Sequence, residues 1–181
     1  IDLGLGRMTE MISRMGIHFD CPVFTVAGTN GKGSTCAMLE SIFRSAGLRV
    51  GMHTSPHMLR FNERAWLLGR EATDEELCRV FEEVEEKRGD LILSYFEFTA
   101  LGILKLFMDA KLDAVVLEIG LGGRLDAINS IDPTVSIVTT VGIDHTAFLG
   151  PDRESIGREK SFVYRAAPCH AAVCADPEPP K

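Results

Sequence analysis

The chain has 181 residues, of which 45% are hydrophobic and 25% charged, a composition typical of one globular domain that can bury a substantial core. Its formal net charge of −7 argues against nucleic-acid partners, because the sequence has no basic stripe that could neutralise a phosphate backbone. No apolar run approaches the roughly 18 residues of a membrane span and no signal peptide opens the sequence, so we expect no membrane partner.

The cysteines and the two ends of the sequence indicate where the protein resides and how it is divided. The five cysteines form no C-x-x-C pair, which is typical of reduced thiols in a cytoplasmic protein. Cys169-His170 with Cys174 would supply only part of a zinc site, because a fourth ligand is missing. The sequence begins with Ile1 and ends in the linker-like "ADPEPPK". We therefore expect a piece of a larger protein, with one domain over residues 1–176 and the start of a linker over 177–181.

The first half of the chain alternates predicted helices and strands. Apolar residues spaced from Leu5 to Met15 predict a helix that ends near Gly16. Residues 23–27 are predicted to form a buried strand, and residues 34–46 form the helix after it. A second strand is predicted over 49–54, and it leads into the polar loop Ser55-Pro56-His57. Residues 64–68 are a weaker strand candidate.

Capping signals and apolar runs organise the second half. Thr73-x-x-Glu76 and Ser94-x-x-Glu97 are capping boxes that predict two helices, the second over 95–110 and apolar nearly all round. The runs 114–119 and 135–141 are typical of strands covered on both faces. A further helix should begin near Asp152, and residues 171–174 suggest a short strand. This alternation predicts a doubly wound, mainly parallel α/β sheet that binds ligands at the carboxyl ends of its strands.

The segment "VAGTNGKGST", residues 26–35, predicts a phosphate-binding loop between a strand and a helix. Glycines let backbone N–H groups approach an anion, a lysine adds positive charge, and the positive end of the helix faces the same anion. The common motif has a hydroxyl residue after the lysine that binds Mg²⁺, but Gly33 stands there, so that oxygen must come from Ser34 or elsewhere. The predicted phosphate-binding residues are Gly28, Thr29, Asn30, Gly31, Lys32, Gly33 and Ser34.

Candidate functional side chains also follow two further predicted strands. Glu118 follows a buried strand in the position of a Walker-B carboxylate, which suits Mg²⁺, although a structural salt bridge is the alternative. Asp144-His145 follows the next apolar strand and would lie at the same edge of the sheet. Arg124 and Asp126, in the glycine-rich turn after Glu118, could bind substrate or pair with each other.

Five ordered motifs identify a family resemblance: "GTNGKGS", "TSPH", "LEIGLGGRLDA", "DHT" and "LGPDRESIGREK". Together they resemble the folylpolyglutamate synthases, above all the bacterial bifunctional dihydrofolate synthases/folylpolyglutamate synthases. These enzymes belong to the Mur-ligase-like, ATP-dependent carboxylate–amine ligases. The resemblance covers residues 1–160 and continues more loosely to residue 180.

The resemblance implies a ligase that uses ATP and Mg²⁺. The loop would hold the ATP phosphates, with Lys32 on the β and γ oxygens, and the metal ligands would be Ser55, Glu118 and His145. Lys160 matches the lysine that the family carries as a carbamate. It is followed by Ser161-Phe162-Val163-Tyr164, where the family has smaller residues. Segments matching the pteroate pocket of the family are Asp2, Leu3, Ser94, Tyr95, Phe96, Glu97, Leu125, Asp126 and Ala127, with Phe96 stacking on the pterin.

The implied reaction joins L-glutamate to dihydropteroate or to the glutamate tail of folate through an acyl phosphate. The full-length protein would be a monomer, and this part alone would be inactive because the glutamate-binding domain is missing. Two alternatives remain open. A cell-wall Mur ligase would share the loop and the metal site, but Ser94–Glu97 and "TSPH" argue against it. A GTPase-type switch should carry an N-K-x-D motif, which does not occur in the sequence.

Overall fold

The computed structural model describes residues 4–165 and 171–181. Their seven strands form one sheet in the order β4-β3-β2-β5-β1-β6-β7, in which β3 pairs antiparallel with β2 and β4 and all other pairs are parallel. The mainly parallel α/β fold predicted from the sequence is therefore confirmed. The strands are β1 (Val23–Ala27), β2 (Val50–His53), β3 (Ala65–Leu67), β4 (Arg70–Glu71), β5 (Ala114–Glu118), β6 (Val135–Val138) and β7 (Ala171–Cys174).

Six α-helices accompany these strands in the described part of the chain. The two capping boxes predicted from the sequence start α3 and α4, where Thr73 and Ser94 accept hydrogen bonds from the backbone N–H three residues on. The helices are α1 (Gly6–Met15), α2 (Lys32–Ser45), α3 (Asp74–Arg88), α4 (Tyr95–Asp109), α5 (Thr146–Leu149) and α6 (Arg153–Ser161), with 3₁₀ turns at Phe61–Arg64 and Ala127–Ser130.

Helices cover both faces of the sheet. On one face α2 packs through Cys36 against Val26, Val50 and Val116. The other face carries the larger core, in which α1, α3 and α4 pack together over alternate residues of the strands. β5 is central and buried along its whole length, because its side chains enter both cores in turn. This double cover fixes the central strands and presents their carboxyl ends at one edge.

Apart from shifts of one or two residues at element ends, the sequence prediction and the structure differ at three places. The predicted strand over 135–141 ends at Val138, because the next residues leave the ladder to contact the phosphate loop; Thr140 O accepts from Thr29 N at 2.7 Å. The weak candidate over 64–68 is the short antiparallel strand β3, and its partner β4 was not predicted. The one-turn helix α5 was also missed, since four residues give too little periodicity to recognise.

The described residues contain neither a membrane-spanning helix nor a preformed cluster of metal ligands. No helix among them combines the length and the apolar character needed to cross a membrane. They contain no group of three or more His, Cys, Asp and Glu side chains arranged to hold a metal ion. Of the partial zinc site considered from the sequence, Cys174 lies in β7, whereas Cys169 and His170 lie outside the described residues.

Candidate active site

The phosphate loop joins β1 to α2 and is held by the chain that leaves β6. Asn30 N donates to Thr140 Oγ1 at 3.1 Å, and Thr139 Oγ1 donates to Asn30 O at 2.7 Å. α2 begins at Lys32, two residues earlier than predicted, and its N-cap Gly31 has a φ of 83° and makes no side-chain capping bond. The N-terminal N–H groups of α2 therefore point into the loop, as an anion site requires.

Gly28 shows why this loop needs glycine. Its φ is 148°, and a Cβ added there would lie 1.8 Å from Thr139 Oγ1. Any side chain would therefore push the loop away from the strand that supports it. The close approach of Gly28 to Thr139 is thus the structural reason for a glycine at this position of the loop.

Two lysines converge on the carbonyl of Gly28. Lys32 Nζ and Lys160 Nζ each donate to Gly28 O at 3.1 Å, and Lys32 Nζ also reaches Thr29 O at 3.4 Å. Within the described part of the chain, no carboxylate lies within 4.0 Å of either ammonium group. Two cations at a helix N-terminus without a paired anion form a site suited to a phosphate chain.

Lys160 lies near the end of α6 and is buried. Its pKa is lowered from 10.5 to about 8, chiefly by burial and also by the charge of Lys32, whereas Asp144 opposes the shift. The bulky residues after Lys160 point elsewhere: Phe162 lies against the Arg124 guanidinium, Val163 is in the core, and Tyr164 donates to Val173 O. The larger side chains therefore fit without filling the space at the Lys160 amine.

Glu118 and Ser55 meet at the ends of β5 and β2. Glu118 Oε2 accepts from Ser55 N at 3.0 Å, and the residue Glu118 is 5% exposed. Burial raises the pKa of Glu118, while the Ser55 N–H and the charge of Lys32 lower it. A buried carboxylate bonded to the backbone of a serine brings together two residues whose side chains carry the hard oxygen donors that Mg²⁺ prefers, and a bound cation would offset the desolvation. These two predicted metal ligands fit the ion.

His145, the third predicted metal ligand, lies at the start of α5. Its side chain is 54% exposed, and its Nε2 lies 3.5 Å from Asp144 Oδ2. It has a φ of 48°, so the backbone is in the left-handed region. In the described residues no hydrogen bond or ion pair joins His145 to Glu118 or Ser55. The structure thus brings two of the three predicted ligands together.

A pocket of about 510 Å³ adjoins this edge through Ser55. Seven of the predicted pteroate-binding residues line it, while Asp2 and Leu3 lie outside the described residues. Arg124 is not part of the lining; it pairs with Glu159 at 3.0 Å instead of Asp126. The lining residues are Gly4, Ser55, Pro56, Arg64, Ser94, Tyr95, Phe96, Glu97, Gly120, Leu121, Leu125, Asp126 and Ala127.

Both carboxylates of the pocket are held by hydrogen bonds. Glu97 accepts from Arg7 Nε at 3.0 Å and from Ser94 N at 2.7 Å. Asp126 accepts from Leu121 N and Ile128 N, each at 2.9 Å. Burial raises the pKa of Asp126 from 3.8 to about 6, although these backbone bonds and Lys32 oppose the shift. Asp126 therefore changes charge near pH 6.

Sequence reasoning missed several lining residues, above all Arg64. It lies in the turn before β3, and no motif marks it; the antiparallel hairpin brings it to the pocket. Gly120 was missed as well. A Cβ there would lie 2.9 Å from Phe96 Cζ and 3.2 Å from Asp126 Oδ2, so only glycine lets these two side chains approach. Its position within the motif "LEIGLGGRLDA" was the available signal.

Comparison with known proteins agrees with this geometry. The family model of the Mur ligase middle domain matches residues 26–178. The dihydrofolate synthase/folylpolyglutamate synthase of Escherichia coli (strain K12) is 50% identical over 181 residues, which are 99% of this chain and 42% of that protein. The chain thus spans about two-fifths of the length of this relative.

Solved structures of folylpolyglutamate synthases are also similar to this chain. The structure of E. coli FolC in complex with DHPP and ADP has a TM-score of 0.96 at 50% identity, covering 99% of this chain and 43% of that one. The bifunctional folylpolyglutamate synthase/dihydrofolate synthase of Yersinia pestis, complexed with AMPPNP and Mn ion, has a TM-score of 0.94 at 50% identity, covering 99% and 44%. The resemblance to the folylpolyglutamate synthases is confirmed, and the chain belongs to the Mur ligase middle-domain family.

Proposed function

We propose that this chain is the ATP-binding domain of a ligase that joins L-glutamate to dihydropteroate, to the glutamate tail of folate, or to both. The two lysines on Gly28 O carry the proposal, because their unpaired charge lies beside a pocket that shares Ser55 with the Glu118 site. The relatives support it: the E. coli structure binds DHPP and ADP, and the Y. pestis structure binds AMPPNP and Mn ion.

The roles of the residues follow from their positions. The loop over 28–34 would bind the ATP phosphates through backbone N–H groups, with Lys32 turning from the Gly28 carbonyl to the β and γ oxygens. Ser55 and Glu118 would hold Mg²⁺, with His145 as a further ligand. When bound, the metal neutralises charge on the phosphate oxygens.

Lys160 would act as a carbamate. Its buried amine has a lowered pKa, so a larger fraction is neutral and able to add CO₂. The ammonium group first loses a proton, and the neutral nitrogen then bonds to the carbon of CO₂ and releases a second proton, so that an anion replaces the cation and the repulsion between Lys160 and Lys32 would be removed. We expect activity to depend on bicarbonate, and that dependence should be lost in Lys160→Ala.

The reaction begins when the substrate carboxylate attacks the γ-phosphorus of ATP, releasing ADP and forming an acyl phosphate. The glutamate amine then attacks the acyl carbon and expels phosphate. The pocket residues contribute by holding the aromatic part of the substrate so that its carboxylate meets the phosphate chain near Ser55. Phe96 would stack on the pterin, and Asp126 would accept hydrogen bonds from it.

Three further expectations belong to this proposal. Residues 1–176 would form the ATP-binding domain, and 177–181 would begin a linker to a glutamate-binding domain. The chain covers 42% of the E. coli relative, which leaves room for such a domain. We expect the intact protein to be a monomer, measurable by sedimentation, and to be cytoplasmic, in keeping with the free cysteines Cys21, Cys36, Cys78 and Cys174.

The decisive experiment is ATP-dependent incorporation of labelled glutamate by the intact protein, with dihydropteroate, tetrahydrofolate and a cell-wall precursor compared. Ligation to a folate substrate is expected, and ligation only to the cell-wall precursor would identify a different Mur ligase. For this chain alone, calorimetry should detect weak binding of Mg-ATP and no ligation. Glu118→Gln should weaken Mg-ATP more than metal-free ATP, because a neutral amide is a poor partner for a hard dication.

A further inference from the structure

Arg64 carries a buried positive charge into the pocket. It is 8% exposed and ends the 3₁₀ turn Phe61–Arg64, directly before β3. Its guanidinium carbon lies 5.7 Å from the ring centre of Phe61 and 5.8 Å from that of Tyr95. These two rings hold the planar group in place on the wall of the 510 Å³ pocket.

No anion in the described residues balances this charge, since no carboxylate oxygen lies within 4.0 Å of the Arg64 nitrogens. Its Nε donates to His57 Nδ1 at 2.8 Å, which uses an imidazole lone pair. In the same part of the chain, its two terminal nitrogens make no hydrogen bond, so they retain N–H donors for a ligand. The pocket carboxylates Glu97 and Asp126 already have other donors.

The backbone of Arg64 lies at the end of β2, close to the phosphate site. Arg64 O accepts from His53 Nδ1 at 2.7 Å and from Thr54 N at 3.4 Å, at the end of β2. Ser55, the next residue along that strand end, both lines the pocket and bonds to Glu118. The side chain of Arg64 therefore extends into the pocket from a backbone position beside the strand end that carries Ser55.

We propose that Arg64 binds the carboxylate of the aromatic acid that occupies the pocket, through the N–H groups of its terminal nitrogens. A planar guanidinium matches a carboxylate in two parallel hydrogen bonds, and burial strengthens this contact. Arg64 thereby selects an acid over a neutral analogue of the same shape and orients it towards Ser55. The inference deepens the proposed function and rests on it.

The test compares pteroate with its uncharged carboxamide, measuring binding of each to the full 181-residue chain. Wild type should prefer the acid by about 10- to 100-fold, the range for a hydrogen-bonded charged group. Arg64→Gln should lose most of this preference while binding the carboxamide as before. Arg64→Lys should keep part of it, since lysine retains the charge without the planar group.

Arg60→Gln is the matched control, because it removes one positive charge from the same turn at an exposed residue that pairs with Glu71 outside the pocket. It should keep the wild-type preference. If folded Arg64→Gln keeps the wild-type preference for the acid over the carboxamide, the inference is overturned. It is also overturned if the variant keeps that preference and loses affinity for Mg-ATP instead. If Arg64→Gln does not fold, equal affinity of wild type for acid and carboxamide would still overturn it. A chain that binds neither compound would instead contradict the proposed function, and this inference with it.

Discussion

The phosphate loop and the adjoining pocket share one edge of the sheet, yet they are built in different ways. The loop is one continuous stretch, residues 28–34, whose shape depends on Gly28 and on the chain leaving β6. The pocket is assembled from short segments spread between residues 4 and 127, and both of its acids accept hydrogen bonds from backbone N–H groups, Glu97 also from Arg7. The comparison shows that a local motif can specify an anion site, whereas the substrate pocket depends on packing between segments.

The sharpest way to break the loop is Gly28→Ala. The new Cβ would collide with Thr139, and the positive φ strains any L side chain, so we expect a loss of about 4 kcal/mol in the free energy of unfolding. Gly47→Ala is the matched control: its φ is 83°, but no atom lies within 4 Å of the added Cβ. It should cost about 1–2 kcal/mol. Urea unfolding measures both, and equal losses would show that backbone strain alone explains Gly28.

Lys32→Ala should weaken the binding of Mg-ATP to the loop with little change in the stability of the fold. Removing the ammonium group deletes one charged donor to the phosphates, so the affinity for Mg-ATP should fall by about 10²-fold in calorimetry. The free energy of unfolding should change by no more than about 1 kcal/mol, because only two contacts to loop carbonyls are lost. Lys87→Ala, at an exposed lysine of α3, should leave the affinity unchanged. Wild-type affinity in Lys32→Ala would refute the assignment of the loop.

The free energy of unfolding should depend on pH through Asp126, a buried carboxyl group of the pocket. Its pKa is about 6 in the folded chain against 3.8 ordinarily, so the unfolded chain loses the proton first as the pH rises. Asp126 therefore favours the folded state fully below about pH 4, and this contribution is lost by about pH 6. The difference between the two pKa values corresponds to about 3 kcal/mol at most.

Asp126→Asn tests this dependence through urea unfolding between pH 3.5 and 7. The amide has one acceptor oxygen for two backbone N–H groups, so the variant is less stable at every pH. Its deficit relative to wild type should be largest near pH 4 and smallest near pH 7. A deficit that does not change with pH would show that Asp126 titrates normally.

Arg124→Ala should have the smallest effect on stability and on pteroate affinity, and it tests whether Arg124 contributes to the pocket. The side chain is 47% exposed and pairs with Glu159, so its loss should cost less than about 1 kcal/mol. Pteroate affinity should change by less than about 2-fold, the same as in Glu159→Ala. A tenfold loss in Arg124→Ala alone would return this residue to the substrate-binding set predicted from the sequence.

Prediction from the sequence succeeded where the signal is local. The glycines around Lys32, the capping boxes at Thr73 and Ser94, and the apolar run of β5 each specify their own structure. It was less complete where a residue depends on distant partners. The strand predicted over 135–141 was too long because Thr140 bonds to the phosphate loop instead of continuing the sheet. The apolar pattern of these residues gives no sign of that contact.

Local sequence patterns were sufficient to predict the parallel α/β architecture, the phosphate loop and the acid at the end of β5, because hydrophobic periodicity and glycine chemistry act over short distances. Which of the predicted residues contact one another depends on the folded sheet. It joined Glu118 to Ser55, put two lysines on one carbonyl, turned Arg124 towards Glu159, and brought the unmarked Arg64 into the pocket. The physical reason is that burial and charge balance depend on neighbours supplied by other strands, and these neighbours are set only when the sheet is assembled.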